Sequence, residues 1–205
     1  MNIVTVNLEN LSDKERKQFL SIIEKANMSS GIPLSEIEVG ATFKVGDIEF
    51  IKFSDVDGVT TAVTKKTIFN SKYGNNNSFA ESEILKRLTN EFYPKIVGVV
   101  GEENLCEITT DSTSLDGLCA YGEVKSYVSL PTFDFYRANV ELFDKYKLDE
   151  WWWLATPYSV KPHYDPDWAC CVSPSGVVSS SGYYYGNGVR PFCRFVSSIF
   201  VSSGD

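Results

Sequence analysis

His163 is the single histidine in a chain of 205 residues, so any imidazole-dependent chemistry has to run through it. It stands in KPHYDPDW (Lys161 to Trp168), between Pro162 and Tyr164. A histidine base needs a partner proton within hydrogen-bond reach, and the chain has no GxSxG elbow to present a serine. The segment reads as a contact or surface loop, and no catalytic residue is assigned. Asp165 and Asp167 flank Pro166 in the same loop. Carboxylates so spaced suit calcium, but that ion takes about six to eight oxygens, so a solvated loop is expected and no metal site is assigned. The other reactive groups are the thiols Cys106, Cys119, Cys170, Cys171 and Cys193. Cys170 and Cys171, being adjacent, point to opposite faces of a strand. With no CxxC and one histidine, structural zinc is not expected.

Binding chemistry is better represented than catalytic chemistry. SSSGYYYGNG (Ser179 to Gly188) and PYSVKPHYDPDW (Pro157 to Trp168) are rich in Tyr, Ser, Asn, Asp and Gly. Tyrosine offers rigid amphipathic area and the small polar residues offer adaptable hydrogen bonds. The expected ligand contacts are Tyr158, His163, Tyr164, Asp165, Asp167, Trp168, Tyr183, Tyr184, Tyr185 and Asn187. An ordinary hairpin, with alternate tyrosines covering a sheet face, would use the same residues. In EWWWLATPYS (Glu150 to Ser159), Trp151 and Trp153 point one way on a strand and Trp152 the other. Two or three of these indoles are expected in the core as organisers of the fold. Arg190, entering an apolar strand, is costly unless paired. It is expected to clamp backbone carbonyls or an acid.

The elements that must position these residues follow from pattern. SDKE (Ser12 to Glu15) is a capping box, and Phe19, Leu20, Ile23 and Ala26 recur at helical spacing, predicting a helix over 13–27 that ends at MSSG (Met28 to Gly31). From Thr42 to Thr64 the chain reads as strands broken by turns at Gly46–Asp47 and Asp57–Gly58. Asn75 to Asn77 is a polar loop. SFAE (Ser78 to Glu81) is a second capping box, for a helix buried through Ile84, Leu85, Leu88 and Phe92 and limited by Pro94. A third helix starts at Pro131–Thr132, with Phe133, Tyr136, Val140 and Phe143 on one face. Beyond Tyr146 only short strands and turns are expected. The class is α+β.

Composition narrows the partners. The net charge of −8, without a Lys/Arg cluster to offset it, disfavours nucleic acid. No stretch reaches the length of a membrane span, so no membrane insertion is expected. The N-terminus lacks a basic segment followed by an apolar one. Together with the odd cysteine count, this points to a protein made in the cytoplasm with reduced thiols.

Three stretches, EWWWLATPYS, WACCVSPSGVVSSSGYYYG and NGVRPFCRF, resemble the "WWLR(S)P … GVRP" ending of a domain family of unknown function from Gram-positive gut bacteria and their phages. That ending is similar to the C-terminal part of C-type lectin-like folds, including the formylglycine-generating-enzyme branch and the variable proteins of diversity-generating retroelements. GATFKVGDIEFIKF, FAESEILKRLTNEF and YVSLPTFDFYRANVELF extend the resemblance over about Ile37 to Val201. It implies helices packed on a small twisted antiparallel sheet with a long loop-rich C-terminal region. Residues 1–36 would be an N-terminal strand/helix arm and 37–205 the lectin-like domain. The loops from Tyr158 to Trp168 and from Ser179 to Asn187 would form the ligand face, with Val189-Arg190-Pro191 in a closing core strand. The chain lacks the Glu-Pro-Asn, Gln-Pro-Asp and Trp-Asn-Asp tripeptides of calcium-dependent sugar binding. The function expected is a non-enzymatic, cofactor-free module that binds a protein or glycan on a host or target cell. It would be phage- or prophage-encoded, virion-associated, and open to retroelement diversification. Two alternatives remain. One is a small phage protein that inhibits a host factor. The other is a formylglycine-generating-type thiol or copper oxidase, with Cys193 beside Cys170 or Cys171 on adjacent strands.

Overall fold

The computed structural model describes residues 12–28, 31–163 and 166–204, with backbone only for residues 22–28. The first capping box is made as expected. Ser12 N donates to Glu15 Oε2 at 2.9 Å, and Glu15 N donates to Ser12 Oγ at 3.4 Å. Helix α1 (Asp13–Met28) follows. Phe19 is half-buried and Leu20 is exposed, while the side chains of Ile23 and Ala26 lie outside the described residues, as do Ser29 and Ser30.

Strands β1 (Ile32–Pro33), β2 (Thr42–Val45), β3 (Ile48–Val56), β4 (Val59–Thr64) and β5 (Phe69–Ser71) come next. Both expected turns join them. At the second, Asp57 and Gly58 have φ of 52° and 74°, the left-handed values that a two-residue turn between twisted strands requires.

The second helical stretch departs from expectation at both ends. Its cap is Ser82, whose Oγ accepts from Leu85 N at 3.0 Å, not the Ser78–Glu81 box. Helix α2 (Glu83–Arg87) passes through a π turn at Leu88–Phe92 into α3 (Tyr93–Val100). Pro94 does not stop it: it follows directly on the π turn, where Tyr93 N–H reaches back five residues to Leu88 O. Ile84, Leu88, Phe92, Ile96 and Val100 recur every fourth residue and are all buried. Helix α1 runs against α3.

Strands β6 (Ile108–Asp111) and β7 (Glu123–Ser126) form a separate pair, followed by β8 (Val128–Ser129). The expected third helix is two: α4 (Phe133–Ala138) and α5 (Val140–Lys145). They part at Asn139, with φ −127° and ψ 25°, whose Nδ2 turns back to donate to Phe135 O at 2.8 Å. The break rotates Val140 out to solvent, so it does not share the buried face of Tyr136 and Phe143. The tail supplies β9 (Trp152–Pro157), β10 (Trp168–Val172), β11 (Val178–Gly182), β12 (Asn187–Val189), β13 (Phe192–Val196) and β14 (Phe200–Ser203).

The architecture is α+β, with mostly antiparallel sheets and few helices. Seven strands run in the order β1-β14-β2-β3-β4-β13-β8, and five in the order β11-β10-β9-β12-β5. This is more sheet than the single small one expected, because the Ser-rich and Asn-Gly-Val segments pair as strands instead of looping. The seven-stranded sheet also draws in the arm. Ile32 pairs with Val201 and Pro33 with Phe200, and Leu34 is fully buried. Lys52, itself buried, donates from Nζ to Leu34 O at 2.8 Å and pairs with Asp55 at 2.7 Å. Among the described residues the sheet therefore takes in Ile32 and Pro33.

Strand β9 divides two cores. Trp153 and Ala155 enter the larger one with Phe43, Phe50 and Phe195, while Trp152 and Leu154 enter the other with Tyr136 and Phe143. Each buried indole removes about 150–250 Å² from water, worth roughly 4–6 kcal/mol at about 25 cal/mol per Å². Trp151 precedes the strand and is 44% exposed, so only two of the three indoles organise the fold. Arg190 clamps backbone, as expected. Its Nε donates to Thr64 O at 2.9 Å and a terminal nitrogen reaches Lys65 O at 3.4 Å. Its guanidinium lies 5.2 Å and 5.3 Å from the Phe143 and Trp152 ring centres, and burial lowers its pKa to about 10.

Candidate binding face

The two loops singled out by composition meet at the start of β10. Tyr158 N donates to Trp168 O at 3.0 Å, Tyr183 N donates to Asp167 O at 2.9 Å, and Trp168 pairs with Gly182 across β10 and β11. A buried asparagine fastens this junction from below. Asn77 Nδ2 donates to Ser159 O at 2.7 Å and to Trp168 O at 2.8 Å, and its Oδ1 accepts from Tyr121 OH at 2.8 Å. Its backbone N–H donates to Pro166 O at 3.0 Å. Asn77 is fully buried, which corrects the reading of Asn75 to Asn77 as a plain polar loop. Tyr73 completes the base. Its N–H donates to Tyr183 O at 2.8 Å, and its buried hydroxyl donates to Ala155 O at 3.0 Å.

On that base stands a tyrosine run. Tyr183 is half-buried against the larger core, whereas Tyr184 and Tyr185 are 56% and 54% exposed. Their ring centres lie 4.6 Å apart, and Tyr184 meets Tyr183 edge-on at 5.4 Å. The Tyr184 ring folds back over Gly182, where a Cβ would meet it at 2.8 Å. Tyr185 beside it holds the Tyr184 phenol above its ordinary pKa. The expected loop from Ser179 is shorter than composition suggested, because Ser179 to Gly182 belong to β11.

The other loop carries a polar cluster centred on Asp116. Its Oδ1 accepts from Ser114 Oγ at 2.5 Å, and its Oδ2 accepts from Ser159 Oγ at 2.6 Å. His163 Nδ1 lies 3.1 Å from the same Oδ2. Partial burial opposes ionisation of Asp116, but the bonds from Ser114, Ser159 and His163 outweigh it and hold the carboxyl at about 2. Leu115, Asp116, Tyr158, Ser159 and His163 line an open cleft of about 350 Å³.

No protein-family model, curated protein or solved structure matches the chain. The site therefore rests on its own geometry.

Of the expected contact residues, Tyr158, His163, Asp167, Tyr184 and Tyr185 are exposed, and Trp168 is half-buried. Tyr164 and Asp165 lie outside the described residues. Asn187 is not a loop residue. It pairs with Ser71 across β12 and β5, and its Nδ2 is enclosed without a hydrogen-bond partner. Asn77, Ser114, Asp116, Tyr121 and Ser159 were not foreseen as site residues. Asp116 stands in the polar segment TTDSTSLDG, and two of its partners, Ser159 and His163, lie 43 and 47 residues away.

Cys193 lies on β13 of the seven-stranded sheet, whereas Cys170 and Cys171 lie on β10 of the five-stranded one. They are not on adjacent strands, and all five cysteines are free. Burial, with Cys171 alongside, pushes Cys170 up to about 12, and burial alone does the same for Cys171. Burial raises Cys193 as well. Among the described residues, no group of three or more His, Cys, Asp or Glu is placed to hold a metal ion, and no helix is long and apolar enough to cross a membrane.

Proposed function

We propose that the chain is a non-enzymatic binding module of C-type lectin-like architecture, presenting the 158–168 and 183–186 loops to a protein or glycan. The observation that carries this reading is the pre-ordered junction beneath them. Tyr184, Tyr185, Tyr158 and Asp167 are exposed to solvent while Asn77, Tyr73 and the Trp168–Gly182 pair hold their backbones. Rigid aromatic side chains on a fixed base bind with little ordering cost. The lectin-like part of the reading is supported by the WWL strand at the centre of the five-stranded sheet and by the pairing of β1 with β14, which brings the two ends of the domain together.

The test is a double variant, Tyr184→Ala with Tyr185→Ala, leaving Tyr183 in place because its ring packs against the core. Each anchoring tyrosine is worth about 1–2 kcal/mol at an interface. Retention of a ligand captured from host-cell lysate or cell-wall glycans should fall by about tenfold or more, with thermal stability unchanged. Equal affinity in the double variant would remove these residues from the face.

A further inference from the structure

We propose that the cleft between Tyr158 and Asp116 receives a primary ammonium group, the tip of a lysine side chain on a protein partner, and that His163 holds its place in the free protein. The inference rests on the binding-module reading and names one chemical group of its ligand.

The cleft, at about 350 Å³, falls within the range of small ligand sites. Leu115 and the 44%-exposed Tyr158 supply apolar surface for a methylene stem, and lysine lays its stem along such surface while its charge seeks a polar end. Asp116 is that polar end. A carboxylate offers about four lone-pair sites. Ser114 occupies one on Oδ1, while Ser159 and His163 occupy those on Oδ2. The two serines are buried, and Ser159 cannot leave without stranding its hydroxyl. Ser114 is also fixed through its bond from Leu118 N at 3.1 Å. His163 differs, because its side chain is 55% exposed and can exchange Asp116 for water. Its departure opens one site on Oδ2 beside the one left on Oδ1. A guanidinium fork prefers two unobstructed carboxylate oxygens, and here each already carries a serine. A compact ammonium needs less. The chain's net charge of −8 favours the approach of a cation.

The single histidine makes the test direct, because its imidazole Cε1–H gives one proton signal to follow. The folded protein is titrated at constant pH with Nα-acetyl-lysine amide, with the arginine and norleucine analogues as comparisons. The lysine probe should move the His163 signal saturably, with a dissociation constant on the order of 1 mM. Norleucine should leave it in place and arginine should act more weakly. Asp116→Asn and Tyr158→Ala should each weaken the response at least threefold. Tyr158 is exposed, so that variant decides the matter if Asp116→Asn fails to fold. By calorimetry His163→Ala should bind the lysine probe more tightly, having lost the competitor.

A missing lysine response, a norleucine response of equal size, or a lysine response unchanged in Tyr158→Ala overturns the proposal. An arginine response equal to lysine overturns the ammonium preference. None of these probes involves Tyr184 or Tyr185. A ligand lost in that double variant while lysine has no effect therefore rejects the ammonium site and leaves the binding face standing.

Discussion

Asn77→Ala should destabilise the protein more than any other single change in the polar loops, because one buried side chain ties three distant groups together. Removing it strips the donor from Ser159 O and the acceptor from Tyr121 OH, whereas Trp168 O keeps its bond from Tyr158 N. A buried polar group left without a partner costs about 1–3 kcal/mol. Two such groups, the half-buried Tyr121 hydroxyl being the more easily rehydrated, give a loss of about 2–4 kcal/mol. For a domain of this size that corresponds to a fall in Tm of roughly 4–16 °C. Asn77→Asp sharpens the test. It keeps the acceptor for Tyr121 but aims a carboxylate at two carbonyl oxygens, so it should be no more stable than the alanine variant. Urea unfolding of the three proteins, with Tyr121→Phe as the milder comparison at about 1 kcal/mol, reads these differences. A wild-type midpoint for Asn77→Asp would refute the assignment of the amide nitrogen to the two carbonyls.

Three further outcomes follow from the same structure. Gly188→Ala should destabilise, because a Cβ there collides with Thr67 Cγ2. Adding Thr67→Ser, which keeps the hydroxyl that bonds Glu150 but removes that methyl, should restore part of the loss in a thermal melt. Arg190→Ala should cost about 3 kcal/mol or more in urea unfolding, since two backbone carbonyls lose a charged donor and a buried volume is emptied. Arg190→Lys should recover only part of it, because an ammonium does not reproduce the planar fork. Asp116 has a folded-state pKa of about 2, below the ordinary 3.8. Its contribution to stability is therefore complete above pH 4 or so and is lost as pH falls toward about 2. The stability gap between wild type and Asp116→Asn should narrow over that interval, and a constant gap would contradict the hydrogen-bond scheme.

Local rules were legible where local interactions decide. The Ser12–Glu15 box, the Asp57–Gly58 turn, the alternation of Trp152 and Trp153 and the carbonyl clamp of Arg190 each depend on a few neighbouring residues or on one cost that must be offset. The second cap was misplaced because Ser78 has the glutamate three residues on, Glu81, that marks a capping box, whereas Ser82 has Leu85 there, and only the fold of Tyr73 to Phe79 decides between them. The π turn that carries the chain past Pro94 has no sequence signature. The break at Asn139 was hidden because the apolar spacing continues through it. Asn77 and Asp116 escaped for another reason. Their importance comes from partners more than forty residues away, and a polar residue in a polar segment carries no sign of such contacts. The serines of β11 read as loop because strand propensity is weak there and pairing with β10 supplies the order.

The most direct measurement is hydrogen–deuterium exchange on the protein with and without the ligand retained from host lysate or cell-wall glycans. If the loops form the binding face, protection should appear in residues 158–168 and 183–187, and the Tyr184→Ala, Tyr185→Ala variant should show none. Protection confined to α2, α3 or α1, with these loops unchanged, would contradict it.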